Sequence, residues 1–153
     1  MTGPTPTPRE GHDRPGPLLL DTHVWIWVAE GDERKLDAEP IDRIEEAGRQ
    51  GLVLIHPMSV WEVGTLARKG RIAFTSPVED WVEQALGLPG IFLLDLSPRA
   101  ALQGALLASD RLTDPVDRML LAAARIEGAT LVTADARILG FAEGGGVRVL
   151  AAR

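Results

Sequence analysis

The stretch "DPVDRMLLAAARIEGATLVTAD", residues 114–135, decides how the chain folds. Asp114 followed by Pro115 opens a helix, because proline suits the first helical position and an acid before it caps free amides. Small and apolar residues fill the next three turns, and Gly128 supplies the stop. "TLVT" (130–133) is a short strand that breaks off on a Thr-Ala-Asp turn, and "ARILGF" restarts a helix. The chain therefore sets Asp135 at the open end of a buried strand, where an unpaired carboxylate is costly. The same arrangement occurs near the N-terminus, where "PLLLDTHVWIW" (17–27) runs three leucines straight into Asp21.

Working outward, strands and helices alternate. Leu18–Leu20, 52–55, 91–96, 130–133 and 147–151 read as strands. Residues 22–29, 40–49, 59–70, 76–87 and 115–127 read as helices, with a further one opened by "SPRAALQGALLAS". Ser76-Pro77 and Ser97-Pro98 repeat one helix-start signal, and Gly70 marks a C-terminal stop. This pattern predicts an α/β fold: a single domain over 18–153 with a mainly parallel central sheet flanked by helices, α/β/α. Residues 1–17 hold five prolines and three glycines and read as a disordered leader outside the fold. The helix at 115–127 is apolar around most of its circumference, which predicts burial on two sides or contact with a partner chain.

Composition narrows the function classes. At 153 residues, 45% hydrophobic and 25% charged, the chain suits one soluble globular domain. No cysteine is present, which removes disulfides and thiolate metal sites and suits a cytoplasmic protein. No apolar run approaches the roughly 20 residues of a membrane span. The net charge of −6 argues against a protein coated in positive charge for nucleic acid. A bound metal can nevertheless reverse the sign locally.

In open parallel sheets, ligands bind beyond the carboxyl ends of the strands. Asp21 and Asp135 both lie there. Asp117, one helix and one strand before Asp135, starts from the same edge, and so does Glu62 in the helix after the second strand. Four carboxylates can thus converge. Two of them about 4 Å apart repel by roughly 4 kcal/mol at an effective dielectric near 20, so the cluster calls for shared protons or a divalent cation. With oxygen ligands alone, Mg2+ or Mn2+ is the natural ion, and such a site can activate water against a phosphodiester.

"LLLDTHVWIW", "SVWEVGTLARKGRI" and "DPVDRMLLAAARIEGATLVTAD" resemble the motifs of PIN-domain proteins, in particular the VapC-type toxin ribonucleases of toxin–antitoxin pairs, over nearly all of 18–150. The resemblance implies a Mg2+- or Mn2+-dependent endoribonuclease, dimeric and silenced by a cognate antitoxin protein. It places the family acids at Asp21, Glu62, Asp117 and Asp135, all as catalytic and metal-binding residues. Thr133 supports them, holding a metal-bound water or a neighbouring carboxylate. Asp114, one turn before Asp117, competes as the third acid; Asp117 is favoured because Asp114-Pro115 already reads as an N-cap and its proline.

Plainer readings stand beside these. Ser59 to Glu62 is also a capping box, Asp117 also suits a helix dipole, and Asp135 also caps a helix. His23 reads as an outward-pointing residue, His12 belongs to the leader, and His56 reads as a strand end. Trp25, Trp27, Trp61 and Trp81 read as core or interface. With no tyrosine and three phenylalanines, a base-stacking platform has little support. Arg68, Lys69 and Arg71 either meet RNA phosphates or solvate a helix end, while Arg118 and Arg137 are placed nearer the acids for phosphate contact. Other acid-based α/β sites fit less well. A dehalogenase-type phosphatase needs an acid where His23 stands, and no G-x-x-x-x-G-K loop occurs. An RNA-processing nuclease outside any toxin system, or a non-catalytic metal-binding partner module, remain as alternatives. A homodimer is expected, with a hydrophobic groove near helices 59–69 and 77–87 for the antitoxin.

Overall fold

The structure, a computed structural model, describes residues 16–153. Most of the stretch read as a leader lies outside the described residues. Five strands, β1 (Leu18–Leu20), β2 (Val53–Ile55), β3 (Ile91–Leu93), β4 (Thr130–Thr133) and β5 (Arg148–Ala151), form one sheet in the order β3-β2-β1-β4-β5. Every pairing is parallel. The helices are α1 (Thr22–Glu30), α2 (Ala38–Arg49), α3 (Pro57–Arg68), α4 (Val78–Leu86), α5 (Pro98–Leu106), α6 (Pro115–Glu127) and α7 (Ala136–Ala142). The expected α/β/α architecture is what forms.

Strand alternation builds the two cores. Leu18 and Leu20 point to one face and pack with Val24, Trp25, Ile44, Val63 and Trp81, while Leu19 points to the other with Leu120, Leu121, Leu131 and Ile138. The helices α1–α4 cover the first face and α5–α7 the second. Trp25 and Trp81 are core residues as expected, with ring centroids 5.2 Å apart, and Phe74 stacks on Trp81 at 4.2 Å. The apolar wrap of α6 is explained within the chain: one side packs on the sheet, the other on α5. Gly104 permits that second contact, since a Cβ there would stand 3.1 Å from the Arg118 carbonyl oxygen.

Several boundaries differ from expectation for local reasons. The helix α3 begins at Pro57 rather than Ser59, because His56 takes the N-cap: its Nδ1 accepts from the Met58 amide at 3.0 Å. Ser59 is therefore inside the helix and makes no capping box, and Glu62 sits in the second turn rather than the first. In α4 the N-cap is Pro77, not Ser76, and no side chain caps it. The helix α2 starts two residues early, with Pro40 in its first turn, where a missing amide is tolerated. The strand β3 stops at Leu93. At the other end, Pro17 already belongs to the fold, its carbonyl accepting from the Thr130 amide at 2.9 Å. Gly128 ends α6 in the left-handed conformation, φ 61°, as its position predicts.

Candidate active site

The strand order reverses at β1, with β2 on one side and β4 on the other, and this is where open parallel sheets form a crevice. Asp21 leaves the end of β1 there. Its amide donates to the Val132 carbonyl at 3.0 Å, which prolongs the β1–β4 pairing and fixes the backbone. One carboxylate oxygen accepts from the Thr22 amide at 2.7 Å, capping α1. The other accepts from the Thr133 hydroxyl at 2.6 Å. Thr133 thus holds a neighbouring carboxylate, and its Oγ1 also accepts from the Asp135 amide at 3.0 Å. One hydroxyl ties the two strand-end acids together.

Asp114 is the N-cap of α6, its Oδ1 accepting from the amides of Val116 at 2.8 Å and Asp117 at 3.3 Å. That leaves the Asp117 carboxyl free of capping duty, although the residue is only 7% exposed. Asp21, Glu62, Asp117 and Asp135 all line one open cleft of about 670 Å3, and Asp114 stands at its wall. Four separate segments therefore bring the expected acids to one mouth of the sheet.

The electrostatics record the crowding. Burial pushes the Asp117 carboxyl up to about 7, and Asp114, Asp21, Asp135 and Glu62 each add to the shift. Burial raises Glu62 as well, and Asp21 and Asp114 reinforce the shift. Asp21 is raised by burial despite the hydrogen bonds from Thr133 and Thr22. Burial alone would raise Asp135 too, but Arg137 outweighs it and holds this carboxyl below its ordinary value. The guanidinium stands 3.2 Å from Asp135 Oδ2, and the Arg137 amide donates to Oδ1 at 2.8 Å.

The residues fit a hard divalent cation. The donors are oxygen alone, three of the four carboxyls are strained upward by uncompensated charge and burial, and Thr22 Oγ1 is buried beside them without a hydrogen-bond partner among the described residues. No three of the acids form a ready-made cage among the described residues. That arrangement suits an ion that keeps several waters and takes one or two carboxylates.

The basic residues divide. Lys69, Arg71 and Arg137 line the cleft, and Arg68 does not. Arg118 is corrected outright. Its guanidinium donates to the carbonyls of Gly104 at 2.9 Å, Ser109 at 3.1 Å, Leu112 at 2.6 Å, Ala105 at 3.3 Å and Leu107, closing the end of α5 and the loop after it. No donor is left for a phosphate. Sequence reasoning missed Arg153, which lines the cleft and lies over the Trp27 ring at 5.1 Å. Only the return of β5 to the site reveals it. His23 is exposed and borders the cleft, as does Trp27. His56 is buried as a cap, and burial lowers its pKa.

Comparison with known proteins bears on the family and the fold. Residues 18–144 match the family model described as PIN domain. The chain is 31% identical over 121 residues to Ribonuclease VapC22 of Mycobacterium tuberculosis, covering 79% of this chain and 88% of that protein. Its fold is similar to the crystal structure of VapBC2 from Rickettsia felis bound to a promoter DNA fragment, with a TM-score of 0.63, 13% identity and coverage of 88% and 97%. It is similar also to DNA-bound VapBC from Salmonella typhimurium, with a TM-score of 0.62, 17% identity and coverage of 90% and 99%.

Proposed function

The chain belongs to the PIN-domain family, in its VapC-type branch, and from that premise we propose that it is a toxin ribonuclease restrained by a cognate antitoxin protein. Its reaction is hydrolysis of RNA phosphodiesters with Mg2+ or Mn2+. The observation that carries this reading is the cleft itself: Asp21, Glu62, Asp117 and Asp135 meet at the point where the sheet order reverses.

In this reading Asp21 is the rigid member of the set, fixed by Thr133 and the Thr22 amide. Asp117, whose carboxyl burial raises to about 7, would give up its proton to a bound cation's charge. A divalent cation would supply Lewis-acid stabilisation of the charge developing on the scissile phosphate and lower the pKa of water. Asp21, Glu62, Asp117 and Asp135 would hold it, one or two of them directly and the others through its waters. Arg137, Lys69 and Arg71 line the same cleft and would meet phosphate oxygens there.

Assembly follows from a different surface than the sequence suggests. Because α6 is covered within the chain, a dimer would be better placed on β3, α5 and the segment between them, where Phe92, Leu93, Leu96, Leu102 and Leu106 are exposed. None of the helices among the described residues is long and apolar enough to cross a membrane.

The test is cleavage of single-stranded RNA with Mg2+ or Mn2+, with EDTA, and with Asp21→Asn. Cleavage lost in both controls and silenced by the co-expressed product of an adjacent small reading frame supports the reading. Cleavage that persists in EDTA contradicts it.

A further inference from the structure

One large side chain on the cleft is out of keeping with its setting. Trp61 is 60% exposed, while the other large exposed apolar residues lie between Leu88 and Leu106 and do not line the cleft. Trp61 precedes Glu62 on α3, so its backbone is as firmly placed as the acid's. Thr65 and Lys69 follow it at intervals of four, and all three line the cleft, with Arg71 just beyond. Residues four apart share a helix face, so these three form a stripe about 12 Å long. Thr65 is turned onto the helix itself, its hydroxyl donating to the Trp61 carbonyl at 3.0 Å. The stripe therefore offers an aromatic plane at the acid end and two cations at the other.

We propose that this face of α3 is a track for an unpaired RNA segment, in which the Trp61 indole stacks on one nucleobase and Lys69 and Arg71 take adjoining phosphates. The proposal rests on the ribonuclease reading and deepens it. An indole accepts any base as a stacking partner, and cations beside it are what a charged backbone requires. Charge complementarity favours RNA here: an apolar protein segment would gain from Trp61 but not from Lys69 and Arg71. A duplex would not serve, because its bases are already stacked on one another. A single aromatic also suffices where an entire platform is missing from the composition.

The experiment measures binding of fluorescein-labelled oligouridylate and oligoadenylate of about eight nucleotides, and of an abasic ribose-phosphate chain of equal length, in EDTA so that nothing is cut. Trp61→Ala should weaken binding of both base-bearing oligomers about tenfold and leave the abasic chain unchanged, while Trp61→Phe stays within about twofold of the parent. Lys69→Ala should weaken all three and reduce the salt dependence by about one ion. Trp61 is exposed, so its truncation leaves the fold intact, which circular dichroism checks. Equal affinity of Trp61→Ala and parent for the base-bearing oligomers overturns the proposal. So does an equal loss on the abasic chain, or a loss confined to antitoxin binding. A parent protein that neither binds nor cuts RNA overturns the ribonuclease reading as well; one that cuts RNA with the Trp61→Ala variant unchanged in KM overturns the track alone.

Discussion

The Thr133 hydroxyl donates to Asp21 Oδ2 at 2.6 Å and accepts from the Asp135 amide at 3.0 Å, so one side chain joins the ends of two strands. The contact lies in the buried floor of the cleft, where Thr133 has no exposed surface. A hydrogen bond to a charged group in such a place contributes about 1.5–3 kcal/mol. Thr133→Val keeps the shape and removes the donor. It should lower RNA cleavage about 10- to 100-fold, as loss of a group that orients a metal ligand does. Urea denaturation should show a loss of about 1 kcal/mol or more. Full activity in the variant would assign Thr133 to packing alone.

Asp117 makes stability depend on pH in a definite direction. Its carboxyl is raised from 3.8 to about 7, so between those values the folded state binds the proton more tightly than the unfolded chain. Stability of the metal-free protein therefore declines as pH climbs from about 4 to about 7, and levels off above that. Each pKa unit corresponds to about 1.4 kcal/mol, and water in the open cleft screens part of it, leaving a decline of about 2 kcal/mol. Asp117→Asn should flatten this slope and stabilise the metal-free protein at pH 7 while abolishing cleavage. Denaturant melts across pH 4–8 decide the matter.

Added Mg2+ should reverse the same penalty. At pH 6.5 its binding should release protons, because Asp117 is part protonated before the ion arrives. Calorimetry in buffers of differing ionisation enthalpy measures that release. The Asp117→Asn variant should show far less of it.

Arg118 should behave as a structural residue. It closes five backbone carbonyls around the end of α5 and the loop to α6. Arg118→Ala leaves those acceptors unpaired and should cost about 2–4 kcal/mol in chemical denaturation. The salt dependence of RNA binding should be unchanged, whereas a phosphate ligand would reduce it by about one ion.

Much of this arrangement is visible along the chain, because it is local. Three leucines running into Asp21, and "TLVT" running into Asp135, mark two strand ends without tertiary information. The helix stop at Gly128 and the cap at Asp114 are likewise local, and the cap separates Asp114 from Asp117. What is not local is not legible. Ser59 and Glu62 have the spacing of a capping box, but Pro57 lets the helix begin one half-turn sooner with His56 as its cap. Arg118 looks like a free cation beside an acid, and only the approach of α5 shows its donors engaged. The apolar circumference of α6 does not say whether a neighbouring helix or a second chain covers it. Trp61, Thr65 and Lys69 already have helical spacing in the sequence, but which way that face turns depends on α3 packing through Val63.

The claim beneath all of this is that the converging acids make one site for a divalent cation. Anomalous diffraction from crystals soaked in Mn2+ tests it most directly. The account predicts a single strong peak in the cleft against Asp21 and Asp117, lost in Asp21→Asn. A peak elsewhere on the protein, or an unchanged peak in that variant, would contradict it.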